Sequence, residues 1–309
     1  MSIKEKIVKK VTNIKNKSFF SEQVWYYIFL LPFLIIFFAF TILPILSSIF
    51  LSMFNFDLIE KMEFSGLSNY IRLILNDGVF TTVFGNTIIL AIITGPCGFL
   101  LSFVLAWFIN EFKPLIRTTL SFLFYAPALV GNAYFIWSIA FSSDSYGYVN
   151  SLLLSLGLIT EPITWLKNTS YTMPIIIMVQ LWQSMGVSFL ANISGLQNVN
   201  DEMYEAGAID GIRNRWQELW YITLPYMKHM LLFSAVMQIS SAFSISAIAV
   251  QLAGYPSVDY SVDTIVSYMA DVGTVRYEMG YASAMSVVLF SLMAIFRWII
   301  GKLINKTGK

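Results

Sequence analysis

Six apolar stretches, each long enough to cross a bilayer core and each free of Asp, Glu, Lys and Arg, recur along this chain. They cover residues 25–54, 82–109, 118–141, 171–195, 229–252 and 279–296 of 309. A hydrocarbon core of roughly 30 Å takes about 20 helical residues. Inside it every backbone N–H and C=O must be satisfied within the protein, which leaves helices or closed barrels. No stretch has the period-two alternation of barrel strands. The expected fold is therefore all-α, a polytopic membrane protein with six transmembrane helices. Hydrophobic residues make up 57% and charged residues 12%, against roughly 45–50% and 25% in soluble domains, so no separate soluble domain is expected.

Lysine and arginine gather in alternate loops. Segment 1–24 carries Lys4, Lys6, Lys9, Lys10, Lys15 and Lys17, and the second loop adds Lys113 and Arg117. The fourth loop adds Arg213, Arg215 and Lys228, and the far end Arg297, Lys302, Lys306 and Lys309. That places 15 of the 19 on one side. Because such loops stay in the cytoplasm, both termini are expected there. The layout is a basic segment over 1–24, a membrane domain over 25–301 whose last helix reaches 301, and a tail over 302–309. The first stretch is about twice the roughly 7 to 15 residues of a signal-peptide core, so it is expected to remain as an anchor. Cys97 is the lone cysteine; it excludes an intramolecular disulfide or a cysteine metal cluster and is expected to be a buried small apolar residue.

The opposite loops, 55–80, 142–170 and 253–278, hold ten acidic residues against four basic ones. They could dock an extracellular partner or simply cover helix ends. Within them, residues 148–159 are apolar but too short to span and read as a re-entrant or surface helix.

Loop 196–228 is the one substantial polar excursion on the basic side. Asn200-Asp201 supplies a cap and early negative charge, Glu202 to Ile209 continues a helix, and Gly211 can end it in a left-handed conformation. A second short helix is expected from Asn214 into Trp216–Tyr221, and Leu224-Pro225 opens the next membrane helix. Ala206, Gly207 and Ala208 form a small face beside Glu205. Such a face admits close approach by a partner, although an amphipathic helix lying on the membrane explains the same pattern.

Glu205-Ala206-Gly207, Asp210-Gly211 and Ile222-Thr223-Leu224-Pro225 resemble the cytoplasmic signature loop of ABC importer permeases. Its place before the fifth of six helices fits that family too. Further similar pieces are Leu31-Pro32 with Pro44, Phe64–Tyr70, Asn86-Thr87, Gly147–Asn150, Trp165-Leu166 and Trp182, closest to the carbohydrate-type, maltose/glycerol-phosphate-like members. The resemblance implies a type I permease fold in a bacterial cell membrane, with a coupling helix docking into a separate ATP-hydrolysing subunit. Glu205, Ala206, Gly207, Asp210 and Gly211 would be its contact and turn residues. It also implies a second, related but different permease chain, two copies of the ATP-binding subunit, and an extracellular substrate-binding lipoprotein or periplasmic protein. ATP and Mg would sit on the partner subunits, because this chain has no Gly-x-x-x-x-Gly-Lys-Ser/Thr loop; it is not expected to be an enzyme, to hold a cofactor or to bind nucleic acid. Two departures stand out. Gly207 replaces the usual alanine, at up to about 1 kcal/mol of helix stability. The Glu205–Pro225 spacing is one residue longer than the family pattern, so the rotational register of fifth-helix positions does not carry over directly.

Spans without charge offer no proton relay and no fixed cation for an anionic solute. A neutral, hydroxyl-rich solute fits, recognised by neutral polar groups and aromatic faces. Gln180 and Ser184 lie one turn apart on the fourth helix, and Gln238 and Ser241 three residues apart on the fifth. By resemblance to maltose-type permeases these four are the expected substrate-pathway residues; the same residue types also join helices to one another. Asn132, Tyr125 and Trp137 could line the path or only pack. The lone His229 reads as an interfacial residue. An ion-gradient-driven secondary carrier is the rival reading, but it calls for intramembrane ionisable groups. A membrane enzyme or receptor would need clustered reactive side chains. A glycerol phosphate solute would want a positive charge that the spans lack.

Overall fold

The computed structural model describes residues 24–57, 59 and 61–307, with side chains to residue 303. The basic segment, apart from Val24, and the end of the expected tail lie outside the described residues. The helices are α1 (Val24–Leu51), α2 (Gly78–Asn110), α3 (Pro114–Leu129), α4 (Phe135–Ala140), α5 (Tyr148–Ser155) and α6 (Thr169–Gln183). They continue with α7 (Val187–Gln197), α8 (Asp201–Ile209), α9 (Lys228–Ala253), α10 (Ile265–Ala270) and α11 (Met279–Thr307). Single-turn helices lie between them, and Phe54–Asn55 pairs antiparallel with Glu63–Phe64, a two-residue ladder the all-helical reading did not contain.

Among the described residues α1, α2, α9 and α11 are each long and apolar enough to cross a membrane, and α6 with α7, bent by 41°, makes a fifth candidate. The third expected stretch, 118–141, is divided into α3 and α4 by non-helical residues 130–134. Pro127 removes a backbone donor near the end of α3, and Val130 turns extended at ψ 98 before Gly131. Neither piece reaches the length of about 20 residues that a straight crossing needs.

Two breaks in α-helical hydrogen bonding have a common cause. Leu43 N–H reaches back to Phe38 rather than to the residue four before it, making a π turn over Phe38–Ile42, and Pro44 follows with no N–H to donate. Leu224 N–H does the same toward Leu219, just before Pro225. In both places the wider turn absorbs the missing donor. The expected start of the fifth span at Leu224-Pro225 is accordingly a separate turn, and the span proper begins at Lys228.

The core is built around α2, which packs against α7 and α9 through Phe103, Phe189, Ile193 and Leu231. Toward the other end it meets α6 and the end of α9 through Leu90, Ile176, Val179 and Ile248. The first half of α1 is exposed throughout, while its second half lies on α11, where Ser48 and Ser286 hydroxyls are 2.7 Å apart.

At the acidic end, Asp77 fastens three helices. It caps α2 by accepting from Phe80 N–H at 2.9 Å, and its other oxygen accepts from the hydroxyls of Tyr268 (2.8 Å) and Tyr281 (2.7 Å). Arg72 stacks 4.0 Å over Tyr281 and pairs with Glu278. Burial pushes the Asp77 carboxyl up, but the Phe80 N–H and the two tyrosine hydroxyls outweigh it and hold the group below its ordinary value. A lowered folded value means the stabilisation is complete above about pH 4 and fades as pH falls through that value. Thermal stability measured from pH 7 down to pH 3 should therefore fall more steeply for the wild type than for Asp77→Asn; equal slopes would show that Asp77 is not the titrating group.

Candidate functional site

A polar seam runs along the contact of α2, α7 and α9. Ser188 donates to Gln238 Oε1 at 3.1 Å, Asn192 to Ser102 Oγ at 3.3 Å, and Ser234 to the Ser188 carbonyl at 3.3 Å. Gly98 makes this approach possible, because a Cβ there would lie 2.0 Å from Gln238 Nε2 and 3.0 Å from Ser184 Oγ. One turn further along, Gln180 Nε2 donates to Ser241 Oγ at 3.1 Å.

The four expected pathway residues thus lie together, but facing inward. Gln180, Ser184 and Gln238 are 3%, 6% and 1% exposed, and Ser241 is half-buried. Gln180 bonds Ser241 and Gln238 accepts from Ser188 across helices, Ser184 donates to the Leu181 carbonyl of its own helix, and Gln238 Nε2 is buried with no hydrogen-bond partner among the described residues. The Gln180–Ser241 and Ser188–Gln238 bonds tie helices together, as polar side chains in hydrocarbon commonly do.

A different surface is open. Where α3 breaks into α4 and α6 bends into α7, a groove of about 550 Å³ is lined by Phe124, Pro127, Val130, Ile136, Trp182 and Met185 among others. The two breaks touch: a Cβ on Gly186, in the α6–α7 bend, would lie 3.2 Å from Ala128 Cβ. Trp137 packs edge-on against Trp182 with ring centroids 5.6 Å apart. Trp137 Nε1 and Gln183 Oε1 are buried with no hydrogen-bond partner among the described residues. None of the groove-lining residues is charged. Trp182 drew attention in the sequence only as a similarity; the usable signal was the pairing of Pro127-Gly131 with Gly186, two breaks inside apolar stretches.

The signature loop folds much as its residues dictate. Asn200 caps α8 through Glu202 N–H, Asp201 and Glu202 occupy its first turn, and Gly211 adopts φ +94 beyond its end. Asn214 caps the next turn through Gln217 N–H at 2.9 Å. Glu205, Ala206, Asp210 and Gly211 are exposed, whereas Gly207 is buried. The α8 helix is tied to its own chain by Tyr204, whose hydroxyl lies 3.0 Å from Thr223 Oγ1. Arg215 bridges Glu111 at the end of α2 and Glu218, both at 2.8 Å, and Trp216 packs 5.1 Å from Trp107. A polar bowl of about 940 Å³ opens between the ends of α2 and α7 and the start of α8, with Glu111, Asn200, Tyr204, Glu205 and Arg215 on its walls.

Residues 98–309 match the family model described as the binding-protein-dependent transport system inner membrane component. The chain belongs to that family. It is a permease subunit of an ABC importer. The arabinooligosaccharides transport system permease protein AraP of Bacillus subtilis (strain 168) is 31% identical over 92% of this chain and 90% of its own length. The lactose transport system permease protein LacF of Rhizobium radiobacter is 31% identical over 71% of this chain and 72% of its own. In fold, the permease is similar to a bacterial ABC transporter involved in the import of the acidic polysaccharide alginate, with TM-score 0.76 and 22% identity over 96% of this chain and 100% of that one.

In this permease the glycine of Glu205-Ala206-Gly207 has an internal reason to be small. A Cβ on Gly207 would fall 2.6 Å from Ile222 Cδ1 and 3.0 Å from Ile212 Cδ1. Both are ends of flexible side chains, so Gly207→Ala should gain about 0.8–1.0 kcal/mol of helix propensity and lose a similar amount to repacking. Its thermal stability should match the wild type to within about 1 kcal/mol, while Gly207→Leu should lose roughly 1–3 kcal/mol through overpacking. Denaturation of the two variants side by side decides this, and a Leu variant as stable as wild type refutes the packing argument.

Proposed function

We propose that this chain forms one transmembrane half of an importer for a neutral sugar or oligosaccharide, delivered by an extracellular binding protein. The observation that carries the reading is the groove at the α3–α4 and α6–α7 breaks. It is uncharged, it is lined by the Trp182 indole, which suits the apolar face of a sugar ring, and the neighbouring Trp137 and Gln183 carry buried polar atoms with no hydrogen-bond partner among the described residues. Irregular backbone at membrane depth is tolerated where it lines a cavity. AraP and LacF, permeases for arabinooligosaccharides and lactose, support the same solute class, and a similarly folded alginate transporter solved in complex with an alginate pentasaccharide-bound periplasmic protein supports the delivery route.

The remainder of the assembly follows from this reading. Counting α3 with α4 and α6 with α7 as one span each gives six spans with both termini cytoplasmic. The α8 helix is the coupling helix, offering Glu205, Ala206, Asp210 and Gly211 to an ATP-binding subunit, two copies of which carry ATP and Mg. A second, different permease chain completes the path. ATP binding closes the two cytoplasmic subunits, and their differential affinity for the two membrane conformations drives alternating access.

Two measurements test these parts separately. Glu205 is exposed, so Glu205→Lys should insert and fold like wild type yet lose co-purification of the ATP-binding subunit; undiminished capture removes α8 from the interface. Trp182→Ala should lower binding-protein-dependent sugar uptake by about tenfold, the scale of one lost aromatic contact. Gln180→Ala, at a helix-joining position, should chiefly lower thermal stability. The reverse pattern would return the solute path to the seam.

A further inference from the structure

A second groove lies at the basic end of the spans, away from the uncharged one. It encloses about 350 Å³ between Leu100 and Val104 of α2, Trp220 and Leu224 of the linking segment, and Lys228 and Leu231 of α9. Its walls are almost entirely apolar, and Lys228 is the one charged residue among those lining it. Leu100 and Val104 are largely exposed, so the groove opens sideways, out of the helix bundle. Trp216, Trp220 and Tyr221, all more than half exposed, stand along the same linking segment, the placement that amphipathic aromatic side chains take at the headgroup level of a bilayer.

We propose that this groove holds one acyl chain of an anionic glycerophospholipid, with the Lys228 ammonium facing its headgroup phosphate. A lipid tail is as apolar as leucine, so entering the groove brings no hydrophobic gain over the surrounding bilayer. Two other contributions favour residence. A chain seated in a concave apolar wall makes dispersion contacts that an unfilled gap forfeits, and a lysine at the membrane surface attracts an anionic headgroup over a zwitterionic one. The groove therefore retains a tail by shape and selects its lipid by charge. An occupying lipid would brace α2 against α9 along this groove.

Native mass spectrometry of the full-length chain in detergent tests this, with phosphatidylglycerol and phosphatidylcholine of identical acyl chains as probes. The phosphatidylglycerol adduct should be retained about fivefold more strongly, the effect of one lysine near an anionic surface. Lys228→Gln should equalise the two lipids, and Val104→Trp, or Leu100→Trp should that variant fold poorly, should displace both. Equal retention in the wild type, a preference that survives Lys228→Gln, or adducts that survive filling the groove would each overturn the assignment.

Discussion

In hydrocarbon no hydrophobic force draws one apolar helix to another, and the permease is organised by what replaces it. The α2–α7–α9 core combines a close backbone approach at Gly98 with a seam of neutral hydrogen bonds through Ser102, Ser188, Asn192, Ser234 and Gln238. Each such bond averages only about 0.6 kcal/mol in a membrane, so no single pair holds the bundle. The seam works as a set, with dispersion between closely packed neighbours supplying the remainder. Charge is kept out of it. The ion pairs Arg72–Glu278, Arg215–Glu111, Arg215–Glu218 and Arg276–Asp271 all lie beyond the spans and stay partly exposed, where they contribute little individually.

Toward the acidic end a different device holds the chain. Asn69 donates to the carbonyls of Ser52 and Phe54, and Asn86 to those of Tyr260 and Asp263. Asn150 donates to Ser142, Asp144 and Ile163 while accepting from Trp165 Nε1 at 2.8 Å. Each amide satisfies backbone groups that an irregular loop would otherwise leave unpaired. These are the residues inside the short motifs by which the chain resembles its family. Their shared role is to brace loops so that the helices enter the bilayer at fixed positions.

Much of this was legible in advance because hydropathy and capping act locally. The ends of α2 and α9 fall within a few residues of the apolar stretches, and Asn200, Gly211 and Asn214 terminate helices where their side chains or conformational freedom allow. Direction was not legible. Polar residues one turn apart on α6 and on α9 share a face, and the sequence says nothing of whether that face meets solute or another helix. Gln180 and Ser241 meet each other. The same blindness hid Arg215 with Glu111 and Tyr204 with Thr223, because contacts between distant segments carry no periodic signal. The break in 118–141 was signalled by Pro127 and Gly131, yet apolar length outweighed them.

Those tertiary ties decide what α8 can do. Tyr204 holds it to Thr223, Gly207 seats it against Ile222, and Arg215 with Trp216 connects the following turn to the end of α2. Exposed ion pairs alone would let α8 swing freely, but the buried glycine contact and the indole pair resist both sliding and rotation. A push on α8 is therefore delivered to α2 and to the π turn at Leu219–Thr223 that leads into α9. Those same two helices share the seam, so they are bound to move together. Backbone hydrogen bonding along the bundle is interrupted at the α6–α7 bend and the α3–α4 break. Both interruptions lie on the walls of the open groove, so a push passed along the seam meets the least backbone hydrogen bonding there.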